Sequence, residues 1–137
     1  MVAKNITIAI GNQKGGVGKT TSTACIGAAF ALRGKRVLLV DLDAQQNLTF
    51  TLTQNEDPET SIYDTLVKDQ PLPIVPIREN LDLVPASLDL ARAEIDMATM
   101  MAREGILKSC LDEQKEKYDY ILMDCSPSLG IVTTNAL

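Results

Sequence analysis

The stretch Gly11-Asn-Gln-Lys-Gly-Gly-Val-Gly-Lys-Thr-Thr21 constrains this chain more than any other. It follows the apolar run Ile6-Thr-Ile-Ala-Ile10 and opens a proline-free segment of strong helix formers, Thr20 to Arg33. The context is strand, glycine-rich turn, helix. Glycines lack a Cβ, so the backbone can curl until successive N–H groups point inward, and the helix behind them adds its positive N-terminal end. Such a turn is built to hold a polyphosphate. Lys19 brings a full positive charge to the β and γ phosphates, and the Thr20 hydroxyl is placed to ligate the Mg²⁺ that travels with a nucleotide.

The stretch departs at one position from the P-loop pattern G-x-x-x-x-G-K-[ST], whose first glycine falls on Gln13. Two glycines sit instead at Gly15 and Gly16, after Lys14. The run K-G-G-V-G-K-T-T resembles the deviant Walker A box of the ParA/MinD group of P-loop ATPases, in which a second lysine precedes the glycine pair. The resemblance implies ATP with Mg²⁺ as cofactors and Gly15, Gly16, Val17, Gly18, Lys19, Thr20 and Thr21 as the nucleotide-binding residues. It also implies that Lys14 reaches across an ATP-sandwich homodimer to the partner's nucleotide, and so acts with Lys19 in catalysis.

At 137 residues the chain fits a single domain, since domains run to roughly 100–200 residues. A domain of that size buries close to ~70% of its unfolded surface, enough for a true core. The net charge of −5 gives no overall attraction for nucleic acid or an anionic membrane, and no dense Lys/Arg run makes a local exception. Cys25, Cys110 and Cys125 are odd in number and far apart, and histidine is absent, so neither common zinc ligand set can be assembled. Reduced thiols in a cytoplasmic protein are the expectation. No signal peptide is recognised ahead of the first strand, and the longest apolar run falls far short of the ~20 residues of a membrane span.

Taken in order, the chain predicts an α/β protein: a parallel sheet with helices on both faces. The first strand, about Asn5 to Ile10, is nearly continuous in apolar residues, as in a strand covered on both faces. The helix from about Lys19 to Arg33 is apolar almost all round and expects cover on more than one side, with Gly34 as its stop. Arg36 to Asp41 reads as a second buried strand, paired in parallel with the first through a right-handed crossover.

That strand runs into Asp41-Leu-Asp43-Ala-Gln-Gln-Asn47. Ligands in parallel α/β sheets sit outside the carboxyl ends of the strands, where these acids and the glycine loop both fall. Two readings stand: the carboxylates hold Mg²⁺ and orient water, or they form a solvated turn. D-L-D-A-Q-Q-N resembles the second ATPase box of the ParA/Soj family, usually closer to D-x-D-P-Q-G-N. The match implies that Asp43 positions or activates the attacking water and that Asp41 helps order the metal's water shell. Ala44 and Gln46 replace the usual proline and glycine, which bears on the mobility of the loop.

Leu48 to Pro76 is the least regular part. Thr60 or Ser61 can cap a short helix through about Val67, and Pro71, Pro73 and Pro76 mark a connector. Leu81 to Pro85 alternates and ends at proline, which suits a strand near a sheet edge. Ser87 or Asp89 would cap a helix through about Arg103, broken at Gly105 before a second helix, Ile106 to Lys117. Met97, Met100 and Met101 on the first of these read as core filling, with a partner surface as the other reading.

Tyr118-Asp-Tyr-Ile-Leu-Met-Asp124 is a short apolar strand ending in an acid. After a phosphate loop, that aspartate stands where a Walker B residue meets the Mg²⁺ held by Thr20. The following D-C-S-P-S-L-G resembles the family's D-x-P-P-S-L-G, with Ser126 replacing one proline and Pro127 stiffening a segment that senses the γ-phosphate.

The resemblance covers all 137 residues but only about the first half of the family's domain. It implies a partitioning ATPase of chromosomes or plasmids, its partners a second copy and a ParB-like activator. DNA contact would come only from C-terminal residues beyond this sequence. In the family's sheet the P-loop strand is central, so the first half alone would expose that strand's edge and favour self-association. A non-catalytic interaction fragment, and an ATPase of the MinD, cellulose-synthesis or nitrogenase-iron-protein kind, are the other readings.

Overall fold

The computed structural model describes residues 4–11 and 18–126. Five strands form one sheet in the order β1-β5-β2-β4-β3: β1 Ile6–Ile10, β2 Val37–Leu42, β3 Val75–Arg78, β4 Leu81–Val84 and β5 Tyr120–Cys125. The pairs β1–β5, β5–β2 and β2–β4 are parallel, and β3–β4 is antiparallel. The expectation that β1 pairs with β2 is corrected: β5 lies between them. A crossover fixes that two strands run the same way, but not that they touch.

Side-chain parity divides the sheet into two faces. On one, Val37, Leu39, Leu81, Leu83 and Leu122 pack with Ala31 of helix α1, Lys19–Leu32. The approach is close: a Cβ on Gly27 would stand 2.7 Å from Leu39 Cδ2, so glycine lets the helix lie on the strand. On the other face, Leu38, Val40, Ile121 and Met123 meet α3 (Ile62–Lys68), α4 (Ala93–Met97) and α5 (Ile106–Asp112). A short helix, α2 (Asn47–Thr53), follows β2. Helices thus lie on both faces of the sheet, as expected, but the edge strand β1 is not covered on both faces as its apolar run predicts: Ile6 and Ile8 are exposed among the described residues.

Cover over α1 differs from expectation. Only Thr23, Gly27 and Ala31 are buried in it, and Cys25, Ile26 and Leu32 are exposed among the described residues. The helix does end at Gly34: the Gly34 N–H donates to the Ala31 carbonyl and that of Lys35 to the Phe30 carbonyl, closing its last turn. α3 is capped by Ser61, whose hydroxyl accepts from Tyr63 N–H while Asp64 accepts from Ser61 N–H.

The proline-rich connector contains the short strand β3, which forms the sheet edge, so that β4 lies near that edge as expected. Pro76 sits within β3 beside a bulge, which a central strand would not accept but an edge strand does. The helix expected from Ser87 to Arg103 is broken into a 3₁₀ turn, Leu88–Arg92, then α4, then turns and a second 3₁₀ turn, Arg103–Gly105. Ala102 takes φ 53, a left-handed backbone that no helix passes through. Met97 is buried and Met100 packs against the core, whereas Met101 is 94% exposed. The three cysteines are free thiols, and burial pushes the Cys125 thiol up to about 11.

Candidate functional site

β2 and β5 lie in register with Asp41 opposite Asp124. Two positions earlier on each strand, Leu39 and Leu122 face α1. Period-2 alternation therefore turns both aspartates to the α1 face, at the carboxyl ends of the strands. Both are completely buried.

The start of α1 brings its residues to the same place. Gly18 stands just before the helix at φ 80, a conformation that glycine adopts without penalty, and its carbonyl accepts from Ser22 N–H at 2.8 Å. The next two residues then turn inward. Thr20 Oγ1 donates to Asp124 Oδ2 at 2.7 Å, and Lys19 Nζ donates to Asp124 Oδ1 at 3.3 Å. Lys19 Nζ also lies 3.7 Å from Asp43 Oδ2, an ion pair whose two side chains are each 9% exposed. One ammonium is thus shared by two carboxylates out of bulk water, where attraction is stronger than at a surface.

The donor set suits a hard divalent cation. A hydroxyl and a carboxylate oxygen sit side by side at Thr20 and Asp124, and Mg²⁺ characteristically takes one or two protein oxygens and fills its octahedron with phosphate and water. Among the described residues no group of three or more His, Cys, Asp or Glu side chains forms a closed cage. An ion here would share its ligands with a bound phosphate.

Asp41 has different partners. Its Oδ1 accepts from Asp43 N–H at 3.1 Å, and its Oδ2 accepts from Thr49 N–H at 2.9 Å and Thr49 Oγ1–H at 2.7 Å. Burial pushes its pKa up to about 6, opposed by the Thr49 and Asp43 hydrogen bonds and reinforced by the charge of Asp124. Among the described residues its hydrogen bonds go to its own loop and none to Lys19 or Thr20. Asp43 Oδ1 accepts from Gln45 N–H at 3.0 Å, a local turn that holds the other oxygen toward Lys19.

Two further side chains, Gln46 and Thr49, hold this loop. Gln46, at φ 60, is buried, and its Nε2 donates to the carbonyls of Glu56 and Ala86, each at 3.1 Å. Thr49 joins Asp41 to Ala86, whose N–H it accepts at 2.9 Å. The sequence marks Gln46 only as a departure from the family's glycine, and Thr49 lies in the irregular stretch from Leu48 to Pro76.

The structure thus brings together Lys19, Thr20, Asp43 and Asp124, with Asp41 one strand away. Thr21 lies exposed in the first turn of α1. Lys14, Gly15, Gly16, Val17 and Pro127 lie outside the described residues. A cleft of about 700 Å³ opens beside the Asp41 loop, lined in part by Gln45, Gln46, Phe50, Glu56 and Ser87. None of Lys19, Asp43 or Asp124 lines it, so it is not where the phosphate-binding groups converge.

A lysine and a threonine at the start of a helix, delivered onto the aspartate of a neighbouring parallel strand, are the arrangement of a P-loop fold. The family model described as an AAA domain matches residues 5–137, and the chain belongs to that family, as the N-terminal region of a ParA/Soj-type P-loop ATPase. It is 51% identical over 134 residues to the sporulation initiation inhibitor protein Soj of Bacillus subtilis, a match covering 95% of this chain and 53% of that protein. Among solved structures, a cobyrinic acid a,c-diamide synthase from Mycobacterium smegmatis, with a bound ATP analogue and magnesium, superposes with a TM-score of 0.92 at 43% identity. It is covered to 56% of its length by 97% of this chain. A plasmid partition protein from Borrelia burgdorferi gives 0.89 at 31% identity, with 97% and 61% covered. The chain spans about half the length of the curated relatives it matches.

Proposed function

We propose that this chain binds Mg²⁺–ATP at the Lys19–Thr20–Asp124 cluster and belongs to a ParA/Soj-like ATPase of chromosome or plasmid partitioning that hydrolyses ATP in an ATP-dependent homodimer. The observation that carries the reading is the convergence of Lys19 and Thr20 on Asp124, with Asp43 on the other side of the ammonium. Lys19, held by two carboxylates, is poised to exchange them for phosphate oxygens as a nucleotide enters. Asp43, nearly buried and fixed by Gln45 N–H, presents an acceptor oxygen that can orient a water for attack on the γ-phosphate. Thr20 and Asp124 would hold the metal, which when bound would neutralise charge on the phosphate oxygens.

Lys14 would complete the partner's site, making turnover depend on assembly, and a ParB-like protein would act on the assembled form. DNA contact is assigned to the part of the relatives' length that this chain does not span, in keeping with its net charge of −5. The chromosome-partitioning ATPase Soj of Treponema pallidum, 44% identical over 135 residues, supports the partitioning branch over the pathway of the synthase. A second reading, a fragment that binds nucleotide without turning it over, is supported by the half-length match.

The test is equilibrium binding of ATP and ADP to this chain with and without Mg²⁺, on the wild type and on Lys19→Ala, followed by phosphate release. Mg²⁺-dependent binding lost by about a hundredfold in Lys19→Ala is expected. Equal binding by the two proteins would sink the reading. Binding without release that stays undetectable across concentration would select the fragment.

A further inference from the structure

We propose that Thr49 is a positioning residue: acting through Asp41, it fixes the backbone that carries Asp43 beside Lys19 and ties that backbone to Ala86 after β4. The catalytic part of this inference rests on the ATPase reading above. The direction of the hydrogen bonds is determined by chemistry. Ala86 N–H can only donate, so Thr49 Oγ1 accepts there at 2.9 Å, and its own proton is left for Asp41 Oδ2 at 2.7 Å. Thr49 is fully buried, so no water competes for either bond.

The same carboxylate oxygen accepts Thr49 N–H, one of the first-turn donors of α2 that no helical carbonyl can satisfy. The side chain of Gln46 makes no capping bond to α2, and Asp41 supplies one from the end of β2 instead. Its remaining oxygen then holds Asp43 N–H at 3.1 Å. The path from Ala86 through Thr49 and Asp41 to Asp43 is a chain of hydrogen bonds between buried groups. Its far end places a carboxylate oxygen 3.7 Å from Lys19 Nζ. Gln46 grips the same Ala86 by its carbonyl, so both polar groups of one peptide residue are held by side chains of this loop.

Removing only the hydroxyl leaves Ala86 N–H without its acceptor and Asp41 short of one donor, while the volume stays filled. Asp43 should then lose its fixed place without loss of the phosphate-binding lysine. The experiment compares Thr49→Val and Thr49→Ser with the wild type, using this chain with Lys19→Ala alongside. Three quantities are read: ATP affinity, turnover, and nucleotide-free amide exchange at Asp43, Ala86 and, as a fold control, Leu122.

Expected for Thr49→Val is an ATP affinity within about threefold of wild type, turnover down by about tenfold or more, and exchange at Asp43 and Ala86 faster by about tenfold with Leu122 unchanged. Thr49→Ser, which keeps the hydroxyl, should restore all three. Turnover in Thr49→Val within twofold of wild type, equal losses in the Val and Ser variants, or unmoved exchange at Asp43 would each overturn the inference. The exchange arm needs no nucleotide. If wild type and Lys19→Ala bind ATP alike, the ATPase reading fails on its own, and exchange at Asp43 still decides whether Thr49 positions that residue.

Discussion

Asp41 and Asp124 stand one residue before the ends of adjacent strands, opposite each other in register and equally buried, yet they are held by different sets of partners. Asp124 accepts from Lys19 and Thr20, groups brought from another element by the phosphate loop. Asp41 accepts from Thr49 and Asp43, groups of its own loop. An apolar strand closing on aspartate specifies a buried carboxylate on a given face and no more. Its role follows from which donors reach it: at β5 they come from α1, and at β2 from the loop that follows and the first turn of α2.

The contrast predicts opposite phenotypes, and the largest belongs to Asp124. Asp124→Asn keeps the size of the side chain and an acceptor for Thr20, but it removes the charge that a metal ion and Lys19 would meet. The Mg²⁺-dependent part of ATP affinity should fall by up to about a hundredfold. The denaturant midpoint should move little, because Lys19 retains Asp43 as a counter-charge. Titrations with and without Mg²⁺, together with urea unfolding, check both halves. An Asp124→Asn protein that binds Mg²⁺–ATP normally would erase the distinction.

For Asp41 the expected signal lies in stability. Its pKa is about 6 in the folded chain, against 3.8 for an ordinary aspartate. In that window the folded protein holds the proton that the unfolded chain has released. The Asp41 contribution therefore becomes more favourable as pH falls through 6 toward 3.8, and is least favourable above 6. Asp41→Asn does not titrate there, so the stability of wild type relative to the mutant should rise by about 2 kcal/mol between pH 7.5 and 4.5. Urea unfolding of both proteins across that range measures it. A flat difference would mean that Asp41 is ionised at no net cost, as a carboxylate compensated by a cation would be.

The parts of this arrangement that the sequence made legible are those where local pattern and chemistry coincide. The glycine loop between Ile10 and Lys19, the buried run Val37 to Asp41 and the acid closing Tyr120 to Asp124 each state their element and their reactive group together. The strand order was not legible, because β5 enters between β1 and β2 from some eighty positions downstream. The helix expected from Ser87 to Arg103 gives way to a 3₁₀ turn at Leu88–Arg92 and ends at Met97, before the left-handed Ala102 is reached, and polar and apolar spacing reports none of these breaks. Thr49 carried no signal: a threonine beside leucine reads as a weak helix former until Asp41 and Ala86 are brought to it.

Gln46 offers the smallest and most local test of the comparison. It sits at φ 60, where a non-glycine residue costs roughly 1–2 kcal/mol, and its amide donates to Glu56 and Ala86 carbonyls. Gln46→Gly would relieve the backbone but remove two bonds worth roughly 0.5–1.5 kcal/mol each, and it would widen the freedom of the unfolded chain by roughly 0.4–1 kcal/mol. The opposing effects leave a net destabilisation of about 1 kcal/mol. Exchange at residues 45–49 should quicken while that at Leu122 and Met123 holds, because nothing on the Asp124 side depends on the glutamine. A more stable Gln46→Gly protein would mean that the left-handed strain outweighs the two bonds.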